Sequence, residues 1–268
     1  MTATALQELD FGTISTLDVL GTDVELFTAG SGAPLLFLHG IDGVEGAAPL
    51  LRELARSYCV YAPWHPGFGA SQRPENLDRV DDLGYFYLDL MAALRLERPT
   101  VVGSSFGSWV AAETLTKEPG RASELVLISP LGLRTSHRRE SHVTDIFMLS
   151  RRELNERIGR HEPELSALPE DRLRREMRGE EALSLYGWSP YMFNPKLSGR
   201  LHRIVCPTMI VWGADDRLVR SEYRTRFAKA LPRAEVREIA DAGHCVHADQ
   251  PEQLGTLIGD FVGVKNKA

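Results

Sequence analysis

The stretch Gly103-Ser104-Ser105-Phe106-Gly107 decides how this 268-residue sequence is interpreted. A β-branched run at 100–102 precedes it and predicts a strand, and 108–116 predicts a helix after it. A Gly-x-Ser-x-Gly turn between a strand and a helix is typical of a strained elbow that lifts its central serine above a sheet. Glycine is needed at both ends because a Cβ would crowd the neighbouring strand and helix. Ser105 is therefore the candidate nucleophile, and the alternative is a glycine-rich turn with a helix-capping serine.

The chain around this turn alternates between apolar runs and longer amphipathic stretches. The short apolar runs, rich in β-branched residues, occupy positions 34–38, 58–61, 100–102, 125–128 and 208–212. Continuous apolar strands separated by helices indicate a parallel sheet that is covered on both faces. Residues 11–28 alternate more weakly and predict an antiparallel hairpin at the sheet edge. The predicted fold class is α/β, with a mostly parallel, doubly wound sheet.

Residues 134–199 differ in composition from the rest of the chain. They hold 12 Lys/Arg and 11 Asp/Glu in 66 residues, about 35% charged against 25% overall. This pattern predicts short amphipathic helices whose length is limited by several prolines. Ser150-Arg-Arg-Glu153 has the form of a capping box, and a second helix is predicted to open near Pro169. We predict a first core part at 1–133, a helical cap at 134–199 inserted after the sixth strand, and a second core part at 200–268.

A serine hydroxyl is a weak nucleophile, so an acid and a base should follow it in the order Ser, Asp, His. The doublet Asp215-Asp216 comes directly after a predicted strand. His244 follows another predicted strand at 236–240, in a loop that could reach the serine. A single histidine is often a hydrogen-bonded structural imidazole, but three elements in this order at strand ends favour catalysis.

The sequence His39-Gly40-Ile41-Asp42 follows the predicted strand at 34–38. In this architecture that loop supplies one backbone N–H to the oxyanion hole, and the residue after the nucleophile supplies the other. We assign these donors to Ile41 and Phe106. His39 is expected to brace the loop. Asp42 is assigned to turn stabilisation or to contact with substrate.

The motif set resembles the α/β-hydrolase superfamily over nearly the whole chain outside 134–199. The matching motifs are His39-Gly40, Pro66-Gly67-Phe68-Gly69-x-Ser71, Gly103-x-Ser105-x-Gly107, Gly213-x-x-Asp216 and Gly243-His244 with Pro251-Glu252. More narrowly, it resembles cap-bearing serine hydrolases, which include carboxylesterases, lactonases and meta-cleavage-product C–C hydrolases. The resemblance implies an α/β-hydrolase fold and a triad of Ser105, His244 and Asp216, with Asp215 as the alternative acid.

Four details refine what the resemblance implies. A serine at the elbow centre excludes the chemistry of relatives that carry aspartate there, the dehalogenases and epoxide hydrolases. His65 stands where many relatives have aspartate, in a turn that is usually structural. C–C hydrolases commonly have asparagine before the nucleophile and tryptophan after the base. Here these positions are Ser104 and Cys245, which lowers that interpretation without removing it.

The last part of the cap is the most aromatic stretch of the chain. Trp188, Tyr191 and Phe193 are predicted either to line an apolar pocket over Ser105 or to dock the cap on the core. The cap arginines are expected to lie mostly on solvated helix faces. One of them could face inward and bind a substrate carboxylate, but the sequence does not say which.

Composition excludes several classes of protein. The formal charge of −6 and the lack of a long basic run argue against nucleic-acid binding. No apolar stretch approaches the ~20 residues that span a bilayer, and residues 1–10 lack the features of a signal peptide. Three scattered cysteines fit a reducing compartment, so a cytoplasmic location is expected. We predict a small-molecule substrate, no cofactor, no metal, no nucleic-acid or membrane partner, and leave self-association open.

The preferred function is cofactor-free hydrolysis of a small to medium apolar ester or lactone through an acyl-enzyme. The first alternative uses the same triad to hydrolyse a C–C bond in a vinylogous diketone. The second is a ligand-binding or sensing protein that keeps the fold with vestigial turnover, against which the intact triad argues.

Overall fold

The computed structural model describes residues 6–134, 143–159 and 167–265. Its strands are β1 (Thr13–Val19), β2 (Thr22–Ala29), β3 (Ala33–Leu38), β4 (Tyr58–Pro63), β5 (Thr100–Ser104), β6 (Leu125–Ile128), β7 (Gly132–Leu133), β8 (Phe193–Asn194), β9 (Thr208–Gly213) and β10 (Glu235–Ile239). Within this part of the chain, eight strands form one sheet in the order β1-β2-β4-β3-β5-β6-β9-β10. β7 and β8 form a separate two-stranded pair.

The main sheet is parallel from β4 to β10 and antiparallel only at one edge. β1 pairs with β2 antiparallel, with Thr13 opposite Thr28, and β2 also runs antiparallel to β4. The remaining neighbours are parallel. Parallel neighbours require crossover connections, and these pass over one or the other face of the sheet. The predicted α/β class, mostly parallel sheet and edge hairpin are all confirmed.

Helices cover both faces of the sheet and form the cap. They are α1 (Gly43–Gly46), α2 (Ala48–Leu54), α3 (Val80–Ala93), α4 (Phe106–Lys117), α5 (Arg151–Ile158), α6 (Glu170–Gly187), α7 (Ser221–Ala230), α8 (Val246–Asp249) and α9 (Pro251–Lys265). The predicted capping box opens α5, where Ser150 Oγ accepts from the Glu153 N–H and the Glu153 carboxylate accepts from the Ser150 N–H.

The prediction of uniformly short cap helices is wrong for α6, which runs for 18 residues. Its sequence holds no proline after Pro169, the residue that precedes the helix, so nothing removes a backbone donor before Gly187. Gly179 is tolerated in mid-helix because its face packs closely on Phe68 of the core, where a Cβ would lie 3.0 Å from the ring. The boundaries proposed at 133/134 and 199/200 stay predictions.

The sheet positions the site through the carboxyl ends of its central strands. β5 and β9 are buried along their whole length, and β3 is buried over its last four residues. The loops that follow these three strands carry residues 39–42, the elbow and Asp216. Since parallel strands end at the same edge, these loops meet outside that edge, where ligands bind in open α/β sheets.

Candidate active site

Ser105 sits on a strained turn between β5 and α4. Its backbone has φ 52° and ψ −113°, a conformation that residues with a Cβ rarely adopt. The turn is held by the Ser105 N–H, which donates to the Ile128 carbonyl at 2.8 Å. Two glycines allow the turn to pack against its neighbours without steric overlap. A Cβ on Gly103 would lie 2.6 Å from the Gly107 carbonyl oxygen, and one on Gly107 would overlap the end of β3. The steric reason predicted for both glycines therefore applies.

The structure brings Ser105, His244 and Asp216 into one hydrogen-bonded chain. Ser105 Oγ lies 2.7 Å from His244 Nε2, and His244 Nδ1 lies 2.9 Å from Asp216 Oδ2. Because a carboxylate only accepts hydrogen bonds, the proton of a neutral imidazole belongs on Nδ1. Nε2 is then free to accept the serine proton. All three side chains are buried.

Asp216, and not its neighbour, is the carboxylate that contacts the imidazole. Burial raises the pKa of the Asp216 carboxyl, but the His244 ring and two backbone donors lower it, and the net direction is downward. The donors are the N–H groups of Leu218 and Val219, both bonded to Oδ1. Asp215 is exposed to solvent. The acid that faces His244 is therefore held ionised.

The loop after β3 lies against the nucleophile. A Cβ built on Gly40, the residue before Ile41, would approach Ser105 Cβ to 3.3 Å, so this loop reaches the serine. Phe106 is the first residue of α4, and the first N–H groups of a helix have no partner within the helix. Ile41 and Phe106 thus both flank Ser105, and their assignment as oxyanion donors stays a prediction.

Two buried histidines brace this loop in defined tautomers. His39 Nε2 accepts from the His65 N–H at 2.9 Å, so the ring proton of His39 lies on Nδ1 and points to the Gly40 carbonyl at 2.7 Å. His65 Nε2 then donates to the His39 carbonyl, and Tyr87 O–H donates to His65 Nδ1. Burial lowers the pKa of His39 to about 4, and burial next to His39 lowers the pKa of His65 as well. Both rings are therefore neutral near pH 7.

A second acid–imidazole–serine chain runs next to the first. His247 Nε2 lies 2.6 Å from Asp42 Oδ2, and His247 Nδ1 lies 3.0 Å from Ser104 Oγ. Asp42, Cys245 and His247 also place potential ligand atoms within 4.8 Å of one another. Both ring nitrogens of His247 are already hydrogen-bonded, so a metal ion here would have to break one of these bonds. The only local signal in the sequence for His247 is its position three residues after His244, and no short motif links it to Asp42.

One cap arginine does face inward. Arg175 on α6 reaches Glu25 at 2.8 Å and Glu45 at 2.8 Å, and its guanidinium lies 4.9 Å from the centre of the Trp64 ring. Burial lowers the pKa of Arg175 but the two glutamates raise it, and the net direction is upward. Glu45 lies in α1, directly after residues 39–42. Arg175 therefore clamps the cap to α1, the segment that follows residues 39–42.

The three aromatic cap residues occupy different surroundings. Trp188 is 58% exposed and packs on Phe147, another cap residue. Tyr191 is half-buried, and its hydroxyl donates to the Thr144 carbonyl and accepts from the Ile146 N–H. Phe193 lines a cavity of about 300 Å³ between α3 and the end of the cap. Contact of these residues, and of Asp42, with substrate stays a prediction.

The sheet and the serine on its elbow define a class of protein, the serine hydrolases built on a doubly wound sheet. Residues 35–255 match the model of the alpha/beta hydrolase family, and the chain belongs to that family. The resemblance and the enzyme class inferred from the sequence are confirmed.

Individual relatives are distant but cover nearly the whole chain. A 2-hydroxymuconate semialdehyde hydrolase of Pseudomonas sp. (strain CF600) is 24% identical, covering 92% of this chain and 93% of its own. A 2-hydroxy-6-oxo-2,4-heptadienoate hydrolase of Pseudomonas putida (strain F1) is also 24% identical, with 92% and 95% covered. Carboxylesterase CesB from Bacillus subtilis has a similar structure, with a TM-score of 0.77, 18% identity, and 96% and 94% of the chains covered.

The helices give no sign of a membrane segment. Among residues 6–134, 143–159 and 167–265, no helix combines the length and the apolar character needed to cross a bilayer.

Proposed function

We propose that this chain hydrolyses a small to medium apolar carboxylic ester or lactone, with Ser105 as nucleophile, His244 as general base and Asp216 as orienting acid. The observation that carries the proposal is the buried chain of hydrogen bonds from Ser105 Oγ through His244 to Asp216. A serine on a strained elbow, bonded to an imidazole whose other nitrogen is held by a carboxylate, has the arrangement that acyl transfer requires.

The reaction follows from these contacts. Ser105 Oγ attacks the substrate carbonyl carbon while its proton passes to His244 Nε2, and the carbonyl π electrons move to the oxygen. The N–H groups of Ile41 and Phe106 bind that oxyanion. When it collapses, the bond to the alcohol oxygen breaks and His244 returns its proton to the leaving group. Water, activated by His244, then cleaves the acyl-enzyme by the same steps.

Apolar side chains around the elbow support an apolar substrate. The Phe106 ring stacks on Tyr186 of the cap at 6.1 Å and on Phe68 at 6.2 Å. The cap thus meets the core through aromatic rings next to the nucleophile. Such surroundings exclude water and strengthen the electrostatic interactions of the oxyanion.

The second candidate is hydrolysis of a C–C bond in a vinylogous diketone, favoured by the names of the two relatives from Pseudomonas. If such a diketone also carries a carboxylate, the site needs a cation to bind that carboxylate. Arg175 faces inward, but Glu25 and Glu45 already bind its guanidinium. This observation favours the ester or lactone.

The test combines covalent labelling with a substrate panel. Wild type should hydrolyse p-nitrophenyl esters and be labelled by a fluorophosphonate at Ser105, as located by peptide mass analysis. Ser105→Ala should lose both, whereas Ser221→Ala, a change at an exposed serine of α7, should lose neither. Persistent labelling of Ser105→Ala would overturn the assignment. Turnover of a dienoate diketone with no activity on esters or lactones would favour the second candidate.

A further inference from the structure

His247, in the short helix α8, joins three segments of the site through one buried ring. His244 lies three residues earlier, in the loop before this helix. Its Nδ1 reaches Ser104, the residue before the nucleophile, and its Nε2 reaches Asp42, the residue after Ile41. The side chains of His247 and Asp42 are 1% and 3% exposed. The ring thus connects the loop that carries Ile41 and Asp42 to the end of β5, directly before the elbow serine.

The hydrogen-bond roles follow from the chemistry of the three groups. The Asp42 carboxylate only accepts, so His247 Nε2 carries a proton and donates to it. In the neutral ring, Nδ1 is then an acceptor, and Ser104 O–H donates to it. Ser104 is fully buried at the end of β5, where no substrate carbonyl can reach its hydroxyl. This chain of bonds therefore holds groups in place and does not form a second nucleophile.

The position of the Asp42 carboxylate matters for catalysis. A negative charge beside the site where an oxyanion forms raises the energy of that oxyanion, unless the carboxylate is held away and bonded. His247 provides the bond and fixes the direction of the side chain. Without it, the Asp42 carboxylate loses the bond that links it through the ring to Ser104, and the position of the adjacent Ile41 backbone is less closely fixed.

We propose, on the basis of the function proposed above, that His247 is a positioning residue for the oxyanion hole. Its ring holds Asp42 against Ser104 and thereby keeps the Ile41 N–H directed at the oxygen that becomes negative. This effect acts on the transition state and leaves substrate binding in the ground state nearly unchanged.

The test compares the binding of a transition-state analogue with that of a substrate. An aryl trifluoromethyl ketone adds Ser105 Oγ to its carbonyl carbon, with the electron pair on oxygen and the serine proton on His244, so its Ki reports on the oxyanion hole. For His247→Ala we expect kcat to fall roughly 10- to 100-fold, less than the roughly 100- to 1,000-fold loss that follows removal of an oxyanion donor, because the donor is displaced and not removed. KM for a p-nitrophenyl ester should change little, and Ki should rise in parallel with the fall in kcat/KM.

Two milder variants and one control keep the proposal falsifiable. His247→Gln should recover part of kcat because its amide N–H can donate to Asp42. Ser104→Ala should lower kcat and raise Ki in the same way as His247→Ala, but by smaller factors. These two carry the test if His247→Ala does not fold. Leu254→Ala, a cavity in α9, should lower the Tm without changing the ratio of Ki to KM. All rates are normalised to the sites titrated by a fluorophosphonate.

The outcomes separate this proposal from the function on which it rests. An active wild type whose ratio of Ki to KM is unchanged in the His247 and Ser104 variants overturns the role of His247 alone. A wild type that neither turns over esters nor is labelled at Ser105 overturns both. A raised ratio in these variants, with an unchanged ratio in Leu254→Ala, supports the positioning role.

Discussion

The buried His39 makes a quantitative prediction about stability in mild acid. Its Nε2 accepts a backbone hydrogen bond from His65, so a proton on that nitrogen would face the His65 N–H. Its pKa lies at about 4 in the folded chain, against 6.5 in the unfolded chain. Above pH 6.5 the ring is neutral in both states and stability does not depend on it. As the pH falls below 6.5 the unfolded chain takes up a proton that the folded chain does not, so folding becomes less favourable.

The size of the effect follows from this difference in pKa. One pKa unit corresponds to about 1.4 kcal/mol, so His39 alone removes about 2 kcal/mol by pH 5 and about 3 kcal/mol by pH 4. His65, whose pKa is also lowered, adds to the loss in the same range. The pKa of Asp216 is lowered because the fold favours the ionised form of this carboxyl, whereas for His39 the fold disfavours the charged form. The contribution of Asp216 to stability is therefore lost only as the pH falls below the ordinary value of 3.8.

Urea unfolding between pH 7.5 and 5 measures the loss. His39→Gln keeps an acceptor for the His65 N–H but cannot titrate, so its free energy of unfolding should fall about 2 kcal/mol less than that of wild type over this range. His202→Gln, at an exposed histidine far from the site, should keep the wild-type slope. Equal slopes in wild type and His39→Gln would refute the reasoning.

Two further changes test the cap clamp and the elbow. Arg175→Met leaves Glu25 and Glu45 without the guanidinium that binds them and should lower the free energy of unfolding by about 3 kcal/mol. Adding Glu25→Gln to this variant should restore part of the loss. An unchanged free energy of unfolding in urea titrations of Arg175→Met would contradict the clamp. Gly107→Ala forces a methyl group into the end of β3 and should lower the free energy of unfolding by about 3 kcal/mol or prevent folding. Gly259→Ala in α9, where a Cβ has no neighbouring atom within 4 Å, should raise the free energy of unfolding by up to about 1 kcal/mol. Similar unfolding midpoints for the two alanine variants would exclude the steric explanation.

Local patterns carried the prediction of the fold. The runs that became β3, β5, β6 and β9 are mostly apolar because both faces of these strands are covered, and no distant contact is needed to recognise them. The elbow is recognisable locally because its Gly-x-Ser-x-Gly pattern lies between a strand and a helix that follow each other in the chain, although Gly107 itself packs against the distant end of β3. The prolines of the cap predict short helices, but none of them lies within 170–187, so α6 extends over this whole stretch.

The sequence by itself determined the class of fold, the nucleophile elbow and the order of serine, acid and base, since each depends on a short segment and the strand before it. Only the tertiary structure decided which aspartate meets His244, which cap arginine faces inward, and that His247 links Ser104 to Asp42. The physical reason is separation along the chain. His247 is 143 residues from Ser104 and 205 from Asp42, so these contacts exist only after the strand ends have met at one edge of the sheet.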